Sequence, residues 1–120
     1  MRIVVDLDGT ICNLKDPNLS FEAYAHVKPL PGAVETLRKL KREGHYIIVH
    51  TSRHMKTCEG DVGMVKRRIG RLTIDWLSQY SVPYDEIHFG KPYGDVYIDD
   101  LAITFQGWDK LSPEKFQEEK

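Results

Sequence analysis

The sequence predicts a single α/β domain with a mainly parallel sheet. Short apolar runs alternate with segments of helical period, and each run is followed by acids, hydroxyls or a Gly-Lys pair. The 120 residues suffice for one hydrophobic core but not comfortably for two. Hydrophobic residues at 41% and charged residues at 29% exclude the disordered and low-complexity classes. The formal net charge of -1 supplies no field for general nucleic-acid or membrane binding, so any anion site must be local.

Residues 2–6 (RIVVD) read as a strand buried on both faces, with a carboxylate at its C-terminal end. Residues 7–30 show no sustained period and are punctuated by Gly9, Pro17, Asn18 and Pro29, which predicts a loop over the end of that strand. A helix is expected over 31–43: Pro31 suits its first turn, Val34, Leu37 and Leu40 share a face with Ala33, and Gly44 terminates it. Residues 45–50 (HYIIVH) form the second strand and 53–60 a polar loop. A second helix spans 61–80, with Val65, Ile69, Leu72 and Trp76 as its apolar stripe, though Gly63 and Gly70 weaken it. A third strand covers 86–89, and a fourth covers 95–99 (DVYID), again ending in acids. Ser112 can cap a short C-terminal helix that begins with Pro113 and Glu114.

Cys12 and Cys58 lack any metal-binding spacing and read as reduced thiols. Apolar stretches are only a few residues long and Met1 leads directly into a strand pattern, so a cytoplasmic protein is expected.

Four chemically equipped segments fall at strand ends: 6–10 (DLDGT), 51–53 (TSR), 90–92 (GKP) and 99–100 (DD). In a parallel sheet these ends share one edge, where ligands bind. Asp6, Asp8, Asp99 and Asp100 are expected in one crevice with Lys91, and so many like charges require a cation, most simply Mg²⁺.

This constellation resembles the haloacid dehalogenase (HAD) superfamily of aspartate-nucleophile phosphohydrolases, from Arg2 to about Thr104. DLDGT is similar to its first motif, Thr51 at the end of IIVHT to the second, Lys91 to the third and Asp99-Asp100 to the fourth. PYDEIHFGKPYGDVYIDD resembles more narrowly the small capless phosphatases of capsular polysaccharide biosynthesis. The resemblance implies a three-layer Rossmann-like core without a cap domain, and an Mg²⁺-dependent phosphomonoester hydrolase acting through an aspartyl phosphate. The implied substrate is a small molecule, such as a sugar phosphate of surface polysaccharide synthesis.

Residue roles follow from that chemistry. Asp6 is the candidate nucleophile and Asp8 the acid/base. Gly9 and Thr10 would shape a turn whose amides face phosphoryl oxygens, with Thr51 and Ser52 adding hydroxyls and Lys91 a positive charge. Asp99, Asp6 and the backbone carbonyl of Asp8 would hold the metal, with Asp100 binding through water. Arg53 and His54 are expected at the substrate rim. Lys66, Arg67, Arg68 and Arg71 read as a solvated face or a site for an anionic tail. His26, His45, His50 and His88 lack zinc spacing and read as structural; Trp76 reads as core, and Trp108 has no assignment from sequence. An open crevice requires a large substrate or a neighbouring subunit, so a homo-oligomer covering the site is one expectation. A phosphotransferase or phosphomutase with the same aspartate chemistry, and a silent binding module, are the alternatives.

Overall fold

The structure, a computed structural model, describes residues 1–116. Strands β1 (Arg2–Asp6), β2 (Tyr46–Thr51) and β3 (Glu86–Phe89) form an all-parallel sheet in the order β1-β2-β3. Helix α1 (Ala33–Arg42) connects β1 to β2; α2 (Val62–Val65), a π turn (Lys66–Gly70) and α3 (Arg71–Gln79) precede β3. The fold is the expected α/β, Rossmann-like arrangement.

Both connections step the same way across the sheet, and right-handed crossovers then place their helices on one face. Leu37 and Leu40 of α1 share a core with Trp76 and Leu77 of α3, packed on Val5, Ile47 and Val49, with Ile3 and Ile87 against it. These strand residues all have one parity. Fully burying Leu37 or Ile47, both 0% exposed, contributes about 1.5–3 kcal/mol each before cavity effects. On the opposite parity Arg2, Val4, Tyr46 and His88 are exposed and only Ile48, in the central strand, is buried, so the described helices pack mainly on one face of the sheet.

The second helix departs from simple 3.6-residue periodicity. The π turn at Lys66–Gly70 adds a residue to the turn after Val65 and Ile69. As a result Thr73, not the expected Leu72, turns inward; Thr73 is 0% exposed and Leu72 only half-buried. Asp61 starts this helix by accepting the Met64 amide at 3.1 Å.

The expected fourth strand does not form. Residues 95–99 pair with no strand, and Val96 and Ile98 are 77% and 99% exposed. To lie parallel beside β1, the chain would have to return from the C-terminal to the N-terminal edge of the sheet. Residues 90–94 are too few, since such crossovers take about a dozen residues or more.

Beyond this segment, Trp108 is buried in the core and donates its Nε1–H to the Thr10 carbonyl at 2.7 Å, tying the C-terminal region to the loop after β1. Ser112 precedes a 3-10 turn (Pro113–Lys115) without a side-chain cap bond, and any continuation of the expected C-terminal helix lies outside the described residues. Cys12 and Cys58 are free and buried. Among the described residues no helix is long and apolar enough to cross a membrane.

Candidate functional site

Asp6 ends β1 and lies in register with His50 of β2, which is in register with His88 of β3. Lys91 comes to Asp6 from the end of β3, its Nζ 3.6 Å from Asp6 Oδ1. Two features seat it there. Gly90 has φ +92, and a Cβ at that position would lie 2.8 Å from Val62 Cγ2, so only glycine lets β3 end so close to α2. The Lys91 amide then donates to the Thr51 carbonyl at 3.1 Å. The Lys91 ammonium also sits 4.1 Å from the centroid of the Tyr97 ring.

The loop after Asp6 closes on itself. Leu7, fully buried, accepts at its carbonyl from the amides of Thr10, Ile11 and Cys12, while the Gly9 amide donates to the Cys12 carbonyl at 2.7 Å. The amides of Gly9 and Thr10 are thus engaged inside the turn. Gly9 serves the turn through its φ of +85.

Asp8 is held from below. Arg53 donates Nη2–H to Asp8 Oδ1 at 2.7 Å and Nε–H to Oδ2 at 3.0 Å, a two-pronged grip. The Thr51 hydroxyl donates to Asp8 Oδ2 at 3.3 Å and accepts the Arg53 amide at 2.9 Å. Nη1–H of Arg53 reaches Thr73 Oγ1 at 3.1 Å, and the guanidinium lies 4.2 Å from the Tyr24 ring centroid. The π turn thus has a local consequence: it brings a hydroxyl to the arginine. Nearby, burial first and the Asp8 charge second raise the Tyr24 hydroxyl above its ordinary range, and the same causes push the Cys12 thiol far up, so Cys12 stays protonated and inert.

Arg53 does not lie at the rim. The Arg53 side chain is wholly buried because Asp8, Thr73 and Tyr24 together satisfy it. His54 takes a left-handed φ of +66, packs 5.6 Å from Phe21, and has a buried Nε2 without a hydrogen-bond partner. Burial, then the charges of Arg68 and Lys15, lower its pKa and keep the ring neutral. Ser52 is half-buried, its carbonyl accepting the Met55 amide.

Asp99 and Asp100 are exposed and lie outside any strand, and Asp99 Oδ1 accepts the Leu101 amide at 2.8 Å. The structure therefore joins Asp6, Asp8, Thr51 and Lys91 but not the second acid pair. Among the described residues no three His, Cys, Asp or Glu side chains are grouped to hold a metal. Of the oxygen ligands expected for Mg²⁺, the described residues bring Asp6 and Asp8 to one sheet edge and leave Asp99 and Asp100 apart from them. The basic residues Lys66, Arg67, Arg68 and Arg71 are exposed, Arg71 pairing with Asp75 at 3.0 Å, which is the solvated face.

His50, read as structural from the sequence, stands beside the site. It is in register with Asp6, and burial, then the Lys91 charge, hold its pKa below the usual histidine value. It is the penultimate residue of β2, one before Thr51.

No protein-family model and no curated protein matches the chain. Among solved structures, it is similar to a structural-genomics target from Vibrio cholerae, with 32% identity over 98% of this chain and 94% of that one and a TM-score of 0.85. A chain of the Pnkp1/Rnl/Hen1 complex is 22% identical, with a TM-score of 0.54 over 82% of this chain and 31% of that one, a likeness of fold alone.

Proposed function

The chain belongs to the same family as the Vibrio cholerae protein, and from the geometry of its site we propose that it is a phosphomonoester hydrolase of the HAD type. The observation that carries this reading is the carboxylate of Asp6 at a parallel-strand end, with the Lys91 ammonium 3.6 Å away and Asp8 locked two residues on.

Asp6 attacks phosphorus in line. The P–O bond to the leaving group breaks, and Asp8 relays a proton from the open solvent to the departing oxygen. Water then attacks the aspartyl phosphate, Asp8 takes the water proton, and inorganic phosphate leaves as Asp6 is restored. Lys91 offsets the repulsion between the Asp6 carboxylate and an incoming phosphate dianion. Arg53 keeps Asp8 in one orientation, which serves proton transfer in both steps. Between Gly9 and Pro31 the described chain carries only the 3-10 turn Phe21–His26, so nothing caps the site and the substrate approaches from open solvent. A small sugar phosphate of surface polysaccharide synthesis is the substrate class we propose, and water reaching the open site favours hydrolysis over phosphotransfer.

Incubation with an aryl phosphate tests the reaction. Turnover should vanish in Asp6→Asn with the fold retained, and Asp8→Asn should accumulate a hydroxylamine-sensitive phosphoprotein. Wild-type turnover in Asp6→Asn would overturn the nucleophile.

A further inference from the structure

Three segments converge beside Arg53. The loop after β1 brings Lys15, Phe21 and Tyr24, the loop after β2 brings His54, and the π turn brings Arg68. Their apolar parts form one cluster, in which Met55, Val65 and Ile69 are buried and Phe21 and Tyr24 pack against them. Arg68 and Ala25, the neighbour of Tyr24, also line one cavity of about 440 Å³. Lys15 Nζ lies 5.5 Å from the Tyr24 ring centroid and the Arg53 guanidinium carbon 4.2 Å from it, so these two cations stand within about 10 Å of each other.

The segments gather positive charge without a counter-charge. His54 takes its left-handed φ of +66, a conformation uncommon outside glycine, and is left with a buried Nε2 that has no hydrogen-bond partner. Among the described residues no other buried side-chain nitrogen or oxygen is in that state, so the orphan calls for a group that the chain does not supply. The charges acting on the His54 ring are those of Arg68 and Lys15, both positive. Neither is neutralised among the described residues. Lys15 Nζ donates to the carbonyls of Asp16 and Leu19, at 2.9 and 2.7 Å, and Asp75, which lines the cavity with Arg68, is taken by Arg71 at 3.0 Å. A neutral imidazole can present Nε2 as a donor, and with a guanidinium fork and an ammonium it makes a donor set suited to an oxyanion.

We propose that Lys15, His54 and Arg68 form a subsite for a second oxyanion of the substrate, a carboxylate or phosphate set apart from the phosphoryl group under attack. Arg68 is exposed and Lys15 half-buried, so the anion enters from solvent between them, and His54 Nε2 closes its inner side. A second charged anchor fixes the body of a small ester in an uncapped site and so holds its phosphorus in line with Asp6. Placing this anion on the substrate rests on the hydrolase reading, whereas the anion site itself does not.

Alkylphosphonates of graded length, ending in methyl, carboxylate or a second phosphonate, mimic the ester without being hydrolysed. Calorimetric titration in Mg²⁺ buffer reads their affinity. At the length that spans both sites, a carboxylate or phosphonate end should bind about tenfold tighter than the methyl end, and the His54 ring signals in the nuclear magnetic resonance spectrum should move. Arg68→Ala and Lys15→Ala should each remove most of that preference, whereas Arg67→Ala, beside Arg68 on an exposed surface, should keep it. The end group that gains more assigns the second anion as carboxylate or phosphate. No gain with either at any length overturns the subsite, and an equal loss in Arg67→Ala overturns it in favour of a diffuse positive field. A preference without turnover of an aryl phosphate ends the hydrolase reading and leaves the subsite; turnover without a preference does the reverse.

Discussion

Replacing Arg53 with methionine keeps the length of the side chain but leaves Asp8 without its counter-charge. Breaking a buried ion pair from one side costs about 3–5 kcal/mol. The lower end applies here, because the Asp8 side chain is 17% exposed and water can reach it, whereas that of Arg53 is 0% exposed. The bond to Thr73 and the contact with Tyr24 are lost as well. A loss of about 3 kcal/mol corresponds to a fall of roughly 12 °C in Tm for a domain of this size, at about 4 °C per kcal/mol. Urea unfolding of the wild type, Arg53→Met, Asp8→Asn and the double variant checks it as a cycle. The double variant should lose less than the two single losses combined, with a coupling of about 1.5 kcal/mol or more. A loss in Arg53→Met below about 1 kcal/mol, or strict additivity, would refute the claim that Arg53 is the support beneath Asp8 and would return it to the rim.

Lys91→Ala should lower kcat/KM in a way that persists at high salt, because the ammonium acts at short range inside the site. Lys66→Ala, on an exposed surface, should have a small effect that fades with ionic strength; a salt-resistant loss at Lys66 with none at Lys91 would move the phosphate site to the helix. Lys41, at 2.6 and 2.8 Å, and the Ile47 amide hold the Asp85 carboxyl below the usual carboxylate range, joining the loop before β3 to α1 and β2. That contribution is present above the unfolded carboxyl pKa of about 3.9 and is lost as pH falls through the lower folded value. Asp85→Asn should therefore lower the urea midpoint at neutral pH and match the wild type in strong acid; an equal deficit at both would contradict the assignment.

The sequence by itself determined the elements whose signal is local. The run at 2–6, the helix ended by Gly44, and the strand at 86–89 stand where the apolar periods put them, with shifts of a residue or two at the ends of α1 and β2. The positions of Asp6, Asp8, Thr51 and Lys91 at one sheet edge followed as well, because strand ends in a parallel sheet share an edge whatever the packing. Tertiary structure decided the rest. Arg53 read as a rim residue because a polar loop says nothing about what lies beneath it; three separate segments, carrying Asp8, Tyr24 and Thr73, converge to bury it. The π turn that aims Thr73 inward has no periodic signature. The strand character of 95–99 was legible, but its pairing was not: a strand needs an edge it can reach, and the length of chain between Lys91 and Asp95 withholds the chain's own.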